Sequence, residues 1–111
     1  RVIFRPLGRI VVMGRSKPVP IFEVIGLRET ISASALECVD IFIQALERYY
    51  ARDWAAARAL LERSAKLEPN QPGVTPGVKT NPSLVYQTII ADYELHAPEE
   101  GWDGVYVMKE K

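Results

Sequence analysis

The sequence predicts a mostly α-helical chain that opens with a short β-hairpin, and three observations predict it. Two runs rich in β-branched residues, 10–13 and 19–25, flank the turn Gly14-Arg15-Ser16-Lys17-Pro18, the pattern of paired strands. After residue 33 the apolar residues recur at spacings of three and four, which places them on one face of a helix. Asn81-Pro82 then offers a capping side chain followed by a proline at the first helical position. The expected architecture is a helical hairpin with a third capping helix and a docked C-terminal tail.

Taken in order, residues 1–26 read as the strands. Pro20 lies inside the second run, which suits an edge strand or a late start to pairing. A hairpin alone is marginal in water, so this one must pack on something. Ser34-Ala35-Leu36-Glu37 matches a capping box and predicts where the first helix begins. Leu36, Val39, Ile43, Leu46 and Tyr50 form its expected apolar stripe.

Arg52-Asp53 interrupts that stripe. A second one runs through Trp54, Ala57, Leu61 and Ser64 or Ala65, and ends at Leu67 before Pro69. So short a break makes the two helices antiparallel neighbours. Residues 69–80, with three prolines and two glycines, cannot be regular structure and read as a mobile or functional loop. The third helix should run to about Leu95, with Val85 and Ile89 in one apolar row and Tyr86, Ile90 and Tyr93 in the other. The tail then turns and extends over residues 105–108. Trp102 is expected to anchor it on the helical hairpin, since a buried aromatic ring dominates such docking.

Composition narrows the function classes. At 111 residues, 48% apolar and 25% charged, the chain is an ordinary domain or a small domain plus a fragment. Fourteen basic residues balance fourteen acidic ones. That argues against a nucleic-acid groove or a polybasic membrane surface, although Arg5, Arg9, Arg15 and Lys17 form a small local patch. The single cysteine, Cys38, excludes an internal disulfide framework and suits a reducing, cytoplasmic setting. No apolar run approaches the ~18 residues of a membrane span. The chain starts at Arg1 inside a sheet-like pattern and reads as a piece of a longer protein.

Few residues offer chemistry. The turn at residues 14–18 is either an anion nest built on Arg15 and Lys17 or, more simply, a solvated hairpin tip. His96 is the only histidine and has no ligand set around it in the sequence. Cys38 lies in a helical apolar row and lacks a histidine partner, so it reads as packing. Asp53 reads as the cap of the second helix. Glu99, Glu100 and Asp103 cluster beside Trp102 and read as a solvated turn. No catalytic, cofactor-binding or metal-ligating residue is expected. The structural or interaction residues expected are Trp54, Ala57, Leu61, Pro69 and Trp102.

Residues 53–69, "DWAAARALLERSAKLEP", resemble the second helix of a tetratricopeptide repeat: Asp53 and Trp54 at the turn, the small Ala57, the large Leu61, and the closing Pro69. The match covers about one repeat, whereas stable arrays need three or more, so the third helix must act as a cap. Residues 4–26, "FRPLGRIVVMGRSKPVPIFEVIG", resemble the last two strands of a class III adenylate/guanylate cyclase catalytic domain. Gly14, Arg15, Pro18, Val19, Ile21, Phe22 and Glu23 carry that likeness. The order of cyclase-like strands, helical hairpin and a tail reading "WDGVYVMKEK" is similar to the C-terminal region of bacterial multidomain cyclases.

The resemblance implies a boundary near residue 27: residues 1–27 as the closing hairpin of the catalytic domain, and residues 28–111 as a tetratricopeptide-like module. It also implies that the metal-binding aspartates, the base-recognising pair and the transition-state asparagine and arginine lie upstream. A phosphate-contacting lysine of some family members falls at Met13, whose thioether cannot replace an ammonium. The fragment itself would be inert and without cofactor, and its parent would need Mg or Mn. Expected partners are the rest of the catalytic domain, a protein partner or a second copy, with no membrane contact by this segment. The parent would be attached, if at all, through segments outside it. The alternative is a peptide-binding adaptor unrelated to catalysis.

Overall fold

The computed structural model describes residues 2–12, 19–27 and 29–108. Its elements are β1 (Val2–Val12), β2 (Val19–Leu27), α1 (Ala33–Tyr50), α2 (Trp54–Leu67), α3 (Pro82–Leu95) and β3 (Val105–Met108). The chain is mostly helical with an N-terminal hairpin, as the sequence predicts. What the pattern did not disclose is that the tail joins the sheet. The strand order is β2-β1-β3, with β3 parallel to β1 from Arg9↔Val105 to Val12↔Met108. Pro20 lies on β2, an edge strand of this sheet.

β1 and β2 pair antiparallel from Val2↔Leu27 to Ile10↔Val19, with register shifts at Ile3/Phe4 and at Pro6/Gly8. The second shift leaves Leu7 as an extra residue on β1, a bulge that takes its carbonyl out of the ladder. Tyr86 of α3 supplies the missing partner, its hydroxyl donating to the Leu7 carbonyl at 2.7 Å. Gly8 follows at φ +91°, and a Cβ there would lie 1.9 Å from the Tyr86 hydroxyl oxygen. Both the backbone angle and the tyrosine therefore require glycine.

α1 and α2 run antiparallel: Tyr49 meets Trp54 at the linked end, and Cys38 meets Ser64 at the far end. The turn between them is compact because α1 closes in a Schellman motif. The Arg52 amide donates to the Tyr49 carbonyl (3.0 Å) and the Asp53 amide to the Arg48 carbonyl (2.9 Å). Arg52 takes the left-handed position at φ 63°, which glycine fills in most proteins. Asp53 then caps α2 through the Ala56 amide, and Asn81 caps α3 through the Leu84 amide, both as their sequence contexts predict.

Two expectations for α1 are corrected. The cap is Ser32, whose hydroxyl accepts from the Ala35 amide (3.1 Å), and not Ser34, which lies inside the first turn. The buried face is also rotated from the stripe read in the sequence. Ala35, Cys38, Val39, Ile41, Phe42, Ala45, Leu46 and Tyr49 are buried, while Tyr50 is 40% exposed. α1 is packed on more than one side, so a single stripe does not describe it.

The core joins Phe42, Ala45, Leu46 and Tyr49 of α1, Ala57 and Leu61 of α2, and Tyr86, Ile89 and Ile90 of α3. Leu7 from β1 and Trp102 and Tyr106 from the tail pack against it. The proline-rich connection is held by side chains. Gln71 donates to the Ala65 and Glu68 carbonyls at 2.7 and 3.0 Å, and the Asn81 amide group donates to the Asn70 carbonyl at 3.1 Å. No helix among the described residues is long and apolar enough to cross a membrane.

The two serines at the start of α1 give a direct check. Ser32→Ala should cost about 1 kcal/mol of unfolding free energy in urea, the usual worth of an N-cap, while Ser34→Ala should change it by no more than a few tenths. Equal effects would put the cap elsewhere.

Candidate functional site

Arg5 is the least expected feature of the chain. As the fifth residue of a basic-looking segment it reads as part of a surface patch, yet it is 1% exposed. That reading is corrected for Arg5. The side chains of Arg9, Arg15 and Lys17, and the whole turn at residues 14–18 with its anion-nest reading, lie outside the described residues.

The three helices converge on the pair that Arg5 forms with Glu68. Nη1 donates to Oε2 of Glu68 at 2.8 Å and Nη2 to Oε1 at 2.9 Å, a bidentate fork whose partner is as deeply buried. The planar group also lies over the Phe42 ring, 4.9 Å from its centroid. Glu68 is the residue after α2, so the sheet's arginine grips the end of that helix. The same carboxylate accepts from the Ser83 amide (3.2 Å) and the Ser83 hydroxyl in the first turn of α3. A negative charge there also meets the positive end of the helix dipole. Ser83 and Ser64 share a further hydrogen bond of 2.7 Å.

Cys38 borders this joint, with Sγ 3.6 Å from Nη1 of Arg5 and donating to the Ser64 carbonyl at 3.5 Å. Burial above all, and then the Glu68 carboxylate, push the thiol from its ordinary 9.0 to about 11. It is a packed, protonated thiol and not an activated nucleophile.

The second cluster sits at the linked end of the helices. Trp102 reaches Tyr49 (centroid distance 5.2 Å), Tyr93 (5.3 Å) and Trp54 (5.8 Å). Trp54 stacks on Tyr93 at 5.3 Å. Tyr49 is buried at the centre of these rings. Tyr93, beside it, turns its own hydroxyl toward the Val105 carbonyl at 3.4 Å. Burial, followed by the neighbouring Tyr93, drives the Tyr49 phenol far above its ordinary ionisation range, and burial does the same to Tyr86.

The structure thus brings Trp54 and Trp102 together and buries Ala57 and Leu61 completely between the helices. Pro69 is exposed just past the helix end. His96 ends α3, its amide donating to the Asp92 carbonyl. Glu99 and Asp103 serve the tail's own turn: the Glu99 carbonyl accepts from the Trp102 amide and the Asp103 carboxylate from the Val105 amide. Among the described residues no three His, Cys, Asp or Glu side chains are grouped to hold a metal ion. Comparison with known protein families, characterised proteins and solved structures returns no match.

Two outcomes follow. Glu68→Gln should destabilise the chain by about 3–5 kcal/mol, since it leaves the arginine charge buried without a counter-charge. The double variant Arg5→Met/Glu68→Gln should cost less than the sum of the single ones by about 1–3 kcal/mol; strict additivity in urea unfolding would show that the two do not act as a pair. The second outcome concerns pH. The folded chain holds the Cys38 proton more tightly than the unfolded one, so this contribution to stability is intact below pH 9 and lost as pH rises toward about 11. Tyr49 and Tyr86 act in the same direction at higher pH. Unfolding free energy followed through that window should fall, and a flat profile would contradict the burial of these groups.

Proposed function

We propose that the chain is a non-catalytic C-terminal module of a bacterial class III nucleotide cyclase, and that it transmits strain or position between a helical extension and the closing strands of the catalytic domain. The family assignment rests on the order of the resembling segments: the strand pair at residues 4–26, the tetratricopeptide-like helix at 53–69, and the tail. The observation that carries the mechanism is the Arg5–Glu68 fork. It fixes the strand pair to the end of α2 and the start of α3, so the helices cannot shift without carrying β1 with them.

Under this reading the parent makes cyclic AMP or cyclic GMP from a nucleoside triphosphate in the cytoplasm. The divalent Mg or Mn it uses is held upstream, by residues this segment does not contain. Class III cyclases resemble one another in acting as dimers with sites at the subunit interface, so a helical body fixed to the last strands is placed to bias the geometry of the pair. Val2 and Phe4, 42% and 55% exposed on β1, are suited to packing against the remainder of a catalytic domain. The adaptor reading requires an open groove on the helices, and Trp102 occupying the space between Tyr49, Trp54 and Tyr93 favours the scaffold over it.

The test is cyclase activity of the parent against enzyme concentration, for the intact protein, for one lacking residues 30–111, and for Glu68→Gln. Truncation should move the concentration at which activity is half-maximal, and Glu68→Gln should move it in the same direction by a smaller amount. Unchanged curves in both would overturn the coupling. A parent with no cyclase activity would overturn the family assignment.

A further inference from the structure

The chain's five tyrosines and two tryptophans all belong to one network of ring contacts. A path runs from Tyr86 to Tyr49 (centroids 5.1 Å apart), on to Trp102 (5.2 Å) and Tyr93 (5.3 Å), and ends at Tyr106 (5.6 Å). Trp54 joins it by stacking on Tyr93 at 5.3 Å, and Tyr50 by lying 5.4 Å from Tyr49. Phenols and indoles are the aromatic side chains that give up an electron most easily, and here each one touches the next. A positive hole formed on any of these rings is therefore free to move among the others.

Where the hole comes to rest depends on where a proton can go, because an oxidised phenol or indole is acidic and is stabilised by losing its O–H or N–H proton. The hydrogen bonds sort the rings by this criterion. The Trp102 indole donates to the Val105 carbonyl at 3.0 Å, and the Tyr86 hydroxyl to the Leu7 carbonyl at 2.7 Å. Tyr93 also faces the Val105 carbonyl, at 3.4 Å. An amide carbonyl accepts a hydrogen bond but is too weak a base to keep the proton. Tyr106 differs: its hydroxyl is directed at Oδ2 of Asp92, 3.3 Å away, a carboxylate on an exposed residue. Burial, and then the Asp92 charge, keep that phenol protonated in the resting chain, so the proton is in place to be passed.

We propose that Tyr106, with Asp92 as its proton acceptor, is the oxidation terminus of this network, where a one-electron oxidising equivalent entering the rings is collected and surrendered to a small reductant in solution. An oxidant such as a peroxyl radical or a high-valent metal complex removes one electron from Trp54 or Trp102. The resulting radical cation takes an electron from Tyr106 by way of Tyr93. The Tyr106 O–H bond breaks in that event and its proton passes to the Asp92 carboxylate, which restores the tryptophan and leaves a neutral phenoxyl radical. A thiol or ascorbate then supplies one electron and one proton to the phenoxyl, itself becoming a radical, and Asp92 releases its proton to water. Tyr106 is half-buried and so within reach of such a reductant. This inference does not depend on the cyclase reading.

The test is limiting one-electron oxidation of the full chain by hexachloroiridate(IV), with a nitroso spin trap present and the adducts mapped by peptide mass spectrometry. The adduct should concentrate on Tyr106. Exposure alone predicts otherwise, since Tyr50 is 40% exposed and Tyr106 less so; an adduct chiefly on Tyr50 would overturn the proposal. Asp92→Asn keeps the size of the acceptor and removes its basicity, so it should slow adduct formation at Tyr106 by about tenfold or more. An unchanged rate would show that Asp92 takes no proton, and would overturn the proposal as well. Tyr93→Phe puts a ring that is harder to oxidise between the tryptophans and Tyr106, and should shift the adduct onto Trp54 and Trp102. Labelling of Tyr106 at the native level in that variant would mean that no network feeds it. Circular dichroism checks each fold; if Tyr93→Phe does not fold, the native chain and the exposed substitution Asp92→Asn decide the matter.

Discussion

An arginine and a glutamate cannot both leave water cheaply, and the Arg5–Glu68 pair constrains everything built around it. The desolvation cost of two buried ions is offset only when geometry is good and the remaining hydrogen-bonding positions are filled. Here the fork is bidentate, the carboxylate takes two more donors from Ser83, and the guanidinium covers Phe42. Such a pair adds less to net stability than an apolar core of the same volume would. It makes misplacement expensive: slipping β1 by one residue turns Arg5 to the opposite face of the sheet and leaves Glu68 buried without its cation. The fork therefore acts on the register of strand against helices, in one position and no other.

The rest of the sheet follows from that register. With Arg5 fixed, the bulge at Leu7 presents its free carbonyl to Tyr86, and Gly8 makes the room. Beyond the bulge, residues Arg9 to Val12 form the stretch of β1 on which β3 pairs. The order of dependence runs from an ion pair to a bulge to a strand pairing, and only the last of these involves ordinary sheet hydrogen bonding. Since Glu68 closes α2 and binds the first turn of α3, the same carboxylate also positions the helix that carries Tyr86.

Much of the helical half was legible because its signals are local. Asp53-Trp54, Ala57, Leu61 and Asn81-Pro82 each state their role within a few residues, and each occupies it. The start of α1 was ambiguous because Ser32 and Ser34 are both competent caps; capping at Ser32 starts the helix two residues earlier. The stripe on α1 was misplaced because the buried row includes Ala35, Cys38 and Ala45, small residues that weigh little in a hydrophobic pattern but fit where elements approach closely. Arg5 was illegible for a different reason. Its partner lies 63 residues away, and an arginine on a strand looks the same whether it meets water or a buried carboxylate. The parallel pairing of residues 105–108 with β1 was hidden likewise, since a four-residue extended run does not name its neighbour. The available signal was the company of that run: a tryptophan and two glycines immediately before it, more chemistry than a loose tail requires.

The two clusters divide the labour of joining sheet to helices, and they do so with different physics. At one end the joint is ionic and satisfied, so it resists both displacement and substitution. At the other it is a group of aromatic rings around Trp102, which holds by contact area. β1 passes both, meeting Glu68 at Arg5 and β3 from Arg9 onward. The pairing with β3 begins four residues along the same strand from the fork, with the bulge at Leu7 between them. The hairpin is tied to the helical half by an ion pair at Arg5 and by main-chain pairing with the tail beyond the bulge, two holds that rest on different physics: a buried counter-charge at one, sheet hydrogen bonding beside packed rings at the other.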